Sequence, residues 1–102
     1  MKAVWYTRQG PPADVMQVGE QPTPHAGAGE VRVRLHASAV NPADSNRTVG
    51  RSYAMDGPLI IPDSDGSGVV DEVGSGVDAA WLGRRVWLYN GQRGGRVHGT
   101  AA

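Results

Sequence analysis

The stretch Glu30-Val31-Arg32-Val33-Arg34-Leu35-His36-Ala37-Ser38-Ala39-Val40, running directly into Asn41-Pro42-Ala43-Asp44, decides how this chain is built. Val31, Val33, Leu35, Ala37 and Ala39 alternate with Arg32, Arg34, His36 and Ser38, the period of two that a half-buried strand requires. One apolar and one wet face are expected along it. The pattern then changes. Asn41 is a favoured N-cap, Pro42 suits the first helical position, Asp44 lies in the first turn and Gly50 can stop the helix, which predicts a helix of about two turns.

Working outward, the rest of the chain reads as short apolar runs divided by 15 glycines and 7 prolines, the punctuation of a mainly β domain. Ala3 to Tyr6 gives a first strand, ended by Gln9-Gly10-Pro11-Pro12, and Val15 to Gln21 gives a short second one. Gly66 to Val77 places Val69, Val70 and Val73 between glycines, as in a bent or bulged strand that enters a turn at Gly74-Ser75-Gly76. Arg84 to Tyr89 forms a further strand before the turn dipeptide Asn90-Gly91. Five or more strands in a partly open barrel, with one short helix at its mouth, are expected. Gly91 to Ala102 is too rich in glycine to assign.

At 102 residues the chain has the size of one domain with a modest core. Ten Lys+Arg balance ten Asp+Glu with no charge run, which argues against a nucleic-acid or anionic-membrane partner. The absence of cysteine removes disulfides, thiolate nucleophiles and thiolate metal sites, and suits a reducing cytoplasm. No run approaches the roughly 20 apolar residues of a spanning helix, and Met1 to Trp5 lacks the pattern of an export signal, so a soluble, cytoplasmic protein is expected. Asn46-Arg47-Thr48 matches a glycosylation sequon, which has no use without export.

Two segments carry a resemblance: Val40-Asn41-Pro42-Ala43-Asp44, and Pro62-Asp63-Ser64-Asp65-Gly66-Ser67-Gly68-Val69-Val70-Asp71-Glu72-Val73-Gly74-Ser75-Gly76-Val77. Together they resemble the N-terminal, GroES-like catalytic domain of the zinc-free medium-chain dehydrogenase/reductases, the family of NADPH:quinone oxidoreductases and zeta-crystallin. In zinc-dependent relatives a Cys opens the short helix and a Gly-His-Glu precedes the glycine-rich strand; here Asn41 and Asp63-Ser64-Asp65 stand at those places, so the resemblance implies no zinc. The zinc-free branch usually has Tyr where this chain has Asn46, and Gly where it has Asp63. Tyr53, in the loop after the helix, could supply the phenol instead.

The resemblance further implies NADPH, bound mainly by a Rossmann domain of roughly two hundred further residues that residues 1–102 do not include, so that this chain reads as a domain cut short at its C-terminal end and nearly inactive alone. Hydride would pass to a quinone or an activated alkene. The protein would then mainly position two flat rings and stabilise charge on the acceptor oxygen. On that reading Asn41, Ser64 and Tyr53 are the catalytic candidates, and Asn41, Asp44 and Asn46 those that touch the cofactor. Asp44 and Asp65 would orient neighbours instead of acting as bases. Self-association through apolar surface left for the Rossmann half is expected.

Plainer readings stand beside these. The N-cap role alone accounts for Asn41, and the dipole of the first turn accounts for Asp44. Asp65-Gly66-Ser67-Gly68 suggests a dinucleotide fingerprint, but the third glycine falls on Asp71 and no helix pattern follows, so strand bending is expected. His25, His36 and His98 lack metal-ligand spacing. Arg93 and Arg96 could reach a phosphate or simply be solvated. Two other functions remain open: an alkenal or enoyl reductase, and a free-standing GroES-like binding or adaptor module.

Overall fold

The computed structural model describes residues 1–52, 54–92 and 98–102. It is mainly β, with five strands in two open sheets. Strand β1 (Lys2–Trp5) is followed by a single-turn helix α1 (Pro12–Val15) and strand β2 (Gln17–Glu20), which returns antiparallel to β1. The long strand β3 (Val31–Ala39) leads into helix α2 (Pro42–Val49). Strand β4 (Asp65–Val73), a 3-10 turn over Ala79–Trp81, and strand β5 (Arg85–Leu88) complete a three-stranded antiparallel sheet in the order β3-β4-β5.

The strand expected from Val15 to Gln21 is shorter. Pro12 sits in the first turn of a helix, where its fixed φ and missing N–H cost nothing, so Pro12–Val15 turn helically and extended backbone begins only after Met16. Among the described residues there are therefore two α-helices, where one was expected. That turn aims Val15 at Tyr6 and Ile60, and the three form a small core flanked by Met16 and Met55. Tyr6 and Ile60 exchange both backbone hydrogen bonds at 3.0 Å, which ties β1 to the segment entering β4.

The alternation read in β3 holds only from Val33 to His36; Val31 is exposed and Arg32 half-buried. Leu35 pairs with Gly68, but two steps on β3 to Ala37 match one step on β4 to Ser67, so His36 is an extra residue on β3. Beyond it the faces exchange. Ser38 pairs with Gly66 and shares the face of Leu35, and Ala37, Ser38 and Ala39 are all exposed. Ser38 is exposed, as expected of the wet face, while its hydroxyl also reaches Asp63 and Thr100.

The chain's last residues close the seam between β1 and the entry to β4. Ile61 and His98 form a parallel bridge, Gly99 donates to the Ile61 carbonyl (2.9 Å), Thr100 to that of Asp63 (2.8 Å), and Val4 donates to the Ala101 carbonyl (2.8 Å). Side-chain bonds knit α2 to this region as well. Arg47 donates to Gln92 Oε1 (3.1 Å) and Asp56 Oδ1 (2.7 Å), and Gln92 donates to the Ile61 carbonyl.

Candidate functional site

The site forms where β3 hands over to α2 and β4 begins. Asn41 has the extended backbone of an N-cap, φ −114° and ψ 159°, and Gly50 closes the helix in the left-handed region at φ 81°, as the cap residues lead one to expect. Asn41 and Asp44 stand in the reciprocal arrangement of a capping box. The Asp44 carboxylate accepts the Asn41 N–H at 2.8 Å, and the Asp44 N–H donates to the Asn41 carbonyl at 3.0 Å. Asp44 is buried, and its own carbonyl accepts the Thr48 hydroxyl at 2.9 Å. Its carboxylate holds the Asn41 backbone N–H.

The Asn41 side chain reaches further than its own helix. Its Nδ2 donates to Asp65 Oδ2 at 3.1 Å, while Asp65 Oδ1 accepts the backbone N–H of Asn90 at 2.9 Å. One carboxylate thus ties the helix start to the end of β5. Ser64, next to Asp65, is half-buried, and its carbonyl accepts the Gly91 N–H at 2.7 Å. Among the described residues its hydroxyl has no hydrogen-bond partner.

The other described residues singled out in the sequence do not join this group. Asn46 lies two residues past Asp44, about 200° around the helix, on another side from the buried carboxylate. Tyr53, Arg93 and Arg96 lie outside the described residues. His25 is exposed and within 3.2 Å of Glu72, and His36 and His98 are exposed. Among the described residues no three His, Asp or Glu side chains are grouped to hold a metal ion.

Three contributors were not legible as such in the sequence. Asp63, noted only as a departure from the family's glycine, has φ 67° and a buried side chain whose Oδ2 accepts the Ser38 hydroxyl at 3.1 Å. Burial pushes its pKa up from the ordinary 3.8, the Ser38 hydroxyl opposes that, and the Asp44 charge adds to it. Ser38 and Thr100 hydroxyls lie 2.8 Å apart, and Thr100 donates to the Asp65 carbonyl at 2.8 Å.

The dinucleotide cofactor implied by the family finds part of its needs in these residues. Gly66 and Gly68 offer no phosphate cradle. A Cβ on Gly66 would sit 2.6 Å from the Ala37 carbonyl, and one on Gly68 would overlap that of Arg34, so these glycines serve the close crossing of β3 and β4. The pyrophosphate must be held elsewhere.

Residues 27–100 match the alcohol dehydrogenase GroES-like domain. An alcohol dehydrogenase of Moraxella sp. is 36% identical over 78 residues, 74% of this chain and 23% of that protein. The quinone oxidoreductase of Coxiella burnetii superposes with a TM-score of 0.77 at 30% identity, over 86% of this chain and 29% of that one. A crotonyl-CoA carboxylase/reductase superposes with a TM-score of 0.80 at 26% identity, over 100% of this chain and 29% of that one. The chain spans about a quarter of the length of the first curated relatives it matches. By its cap, its glycine-rich strand and these matches, the chain belongs to the GroES-like domain family of the medium-chain dehydrogenase/reductases.

Proposed function

We propose that this chain is the GroES-like catalytic portion of an NADPH-dependent oxidoreductase that reduces a quinone without a metal ion. The observation that supports the reading is the Asn41–Asp65 hydrogen bond, with Asn41 and Ser64, two short neutral side chains, standing at the sequence positions where the zinc-dependent branch has its ligands. NADPH, when bound against a Rossmann domain, supplies the hydride. Every other task is one of placement.

Asp65 fixes the rotation of the Asn41 amide by accepting from Nδ2, and the second Nδ2 hydrogen remains available for an acceptor oxygen. The Ser64 hydroxyl offers a further donor, and the first turn of α2 adds positive potential on the same side. Preorganised donors of this kind stabilise charge that appears on a quinone oxygen during hydride transfer. Asn46 and Tyr53 are retained as candidate contacts to the nicotinamide and the acceptor. In this reading Asp44 acts only by fixing the Asn41 backbone.

Exposed Trp87 and Tyr89, each 78% accessible, suit a surface that packs against the Rossmann domain or a second subunit. A cytoplasmic enzyme, with no nucleic-acid or membrane partner, completes the proposal. A second reading, reduction of an activated alkene, is favoured by the likeness to the crotonyl-CoA carboxylase/reductase over the whole chain. An adaptor role would leave the Ser64 donor without a use.

The test joins this chain to the nucleotide-binding domain of the Coxiella burnetii relative and follows NADPH oxidation with a para-quinone, an alkenal and an enoyl thioester, with and without chelator. Quinone-dependent oxidation that survives chelation is expected. Oxidation only with the alkenal or thioester selects the second reading, activity lost to a chelator and restored by zinc defeats the metal-free one, and no oxidation with any acceptor favours the adaptor.

A further inference from the structure

Four oxygen atoms make an unbroken line beneath the site. Asp63 Oδ2 lies 3.1 Å from Ser38 Oγ, Ser38 Oγ lies 2.8 Å from Thr100 Oγ1, and Thr100 Oγ1 lies 2.8 Å from the Asp65 carbonyl oxygen. Three contacts at hydrogen-bond distance need three protons. The two hydroxyls supply two, and the carbonyl at the far end supplies none. With Asp63 ionised, one of the three contacts is left as two lone pairs facing each other. With Asp63 protonated, the bond in which Ser38 donates to Asp63 reverses and every contact is filled in one sense, from Asp63 to Ser38, from Ser38 to Thr100, and from Thr100 to the Asp65 carbonyl.

We infer that Asp63 is a positioning residue whose bound proton completes this line and so sets the backbone of Asp65, the residue that grips the Asn41 amide. The surroundings favour the protonated form. Asp63 and Thr100 are buried, at 7% and 3% accessibility, and the charged group from α2 that acts on Asp63 is another carboxylate, Asp44. Ser38 from β3 and Thr100 from the closing segment present only hydroxyls, and β4 presents the Asp65 carbonyl. The burial that raises the Asp63 pKa agrees with the proton count.

The connection from the line to the site is short. Asp65 receives the Thr100 hydroxyl on its backbone oxygen and Asn41 on its side chain, so a change at one end of the residue displaces the other. Loss of the Asp63 proton breaks one link and loosens Asp65. That this loosening matters to turnover rests on the function proposed above; the positioning itself does not. It can be read on the 102-residue chain without any cofactor.

The experiment is a pH titration of the carbon- and nitrogen-labelled chain, following the Asp63 carboxyl carbon and the Asn41 side-chain NH2 pair. In the wild type the Asp63 carbon should titrate above the ordinary carboxylate range, and the Asn41 pair should shift with the same midpoint. Asp63→Asn, which keeps a donor toward Ser38 and tolerates the positive φ, should remove the Asn41 inflection, and Thr100→Val should uncouple the two while Thr100→Ser restores coupling. An Asp63 midpoint in the ordinary range, or an Asn41 inflection that persists in Asp63→Asn, overturns the inference. Inactivity of the joined enzyme in the presence of this coupling would defeat the functional reading alone.

Discussion

Asn41 and Asp65, 24 residues apart in sequence, are joined by a 3.1 Å bond from the Asn41 amide to the Asp65 carboxylate. The first residue of the helical turn is thereby locked to the first residue of β4, and through the second Asp65 oxygen to the Asn90 backbone. A bare N-cap would need none of this. Each end is also held from behind, Asn41 by the Asp44 carboxylate and Asp65 by the Thr100 hydroxyl. Double anchoring of this kind holds an amide donor within the narrow angular range that charge stabilisation requires.

Asn41→Ala should therefore lose on two measurements. Removing the cap and the Asp65 contact should reduce stability by roughly 0.5–2 kcal/mol in urea denaturation. In the enzyme restored with its nucleotide-binding domain, kcat with a quinone should fall well beyond the small fraction of unfolded protein. Unchanged kcat per folded molecule would reduce Asn41 to a cap.

Ser64→Ala separates chemistry from structure more cleanly, because the Ser64 hydroxyl has no hydrogen-bond partner among the described residues. Stability should change by no more than about 0.5 kcal/mol, the range of substitutions away from buried networks. Loss of one preorganised donor should lower kcat on the order of a hundredfold, with a smaller change in KM. A full-rate Ser64→Ala enzyme would remove Ser64 from the reaction.

Asp63 yields a prediction whose sign follows from its raised pKa. The folded protein holds the Asp63 proton more tightly than the unfolded chain, so between the ordinary value of 3.8 and the folded value stability falls as pH rises. Asp63→Asn should flatten that slope and stabilise the protein at neutral pH. Asp63→Ala should instead destabilise, because at φ 67° an alanine costs roughly 1–2 kcal/mol and the Ser38 contact is lost. Denaturation of the three proteins from pH 4 to pH 8 checks both statements; a slope in Asp63→Asn equal to that of the wild type would refute the assignment.

The helix from Asn41 to Gly50 was legible because its signals are local: cap, proline, acidic first turn and glycine stop act within a few residues. The same holds for the turns at Gly74–Gly76 and Asn90–Gly91. The contacts of Ser38 with Asp63 and Thr100 could not be read because a single extra residue at His36 shifts the register of β3, and alternation contains no mark of a bulge. Val15 was misread because one apolar residue after Pro11-Pro12 fits either the end of a helical turn or the start of a strand. Thr100 could not have been found at all, since its role depends on a pairing with residues 61–65 that only the fold creates. The family's preference for glycine at position 63 becomes intelligible afterwards, as the backbone there is left-handed.

Glu72 offers an acid-side counterpart to Asp63. The Ala26 N–H, then His25 and the Arg32 guanidinium at 3.4 Å, hold its pKa below the ordinary 4.5. A depressed carboxylate contributes stability above its unfolded pKa and loses it as pH falls through the folded value. Glu72→Gln should remove that contribution at neutral pH and show less acid sensitivity below pH 4.5. Equal acid slopes for Glu72→Gln and wild type would show that the loop at Ala26 is held by something else.

Gly68→Ala tests whether the glycines ahead of Val69 serve a phosphate or the sheet. Position 68 faces the Arg34 carbonyl so closely that any Cβ must push β3 and β4 apart, and the strands are bound there by backbone pairing on both sides. Overpacking of this kind costs typically 1–3 kcal/mol, and the backbone nature of the obstacle puts Gly68→Ala at the upper end. A Cβ on Gly76 would meet nothing within 4 Å, so Gly76→Ala should cost only the strain of its positive φ, about 1 kcal/mol. Thermal denaturation of the two variants should rank them in that order. In the restored enzyme the KM for NADPH of whatever Gly68→Ala protein folds should be unchanged, and a raised KM with normal stability would return those glycines to a cofactor-binding role.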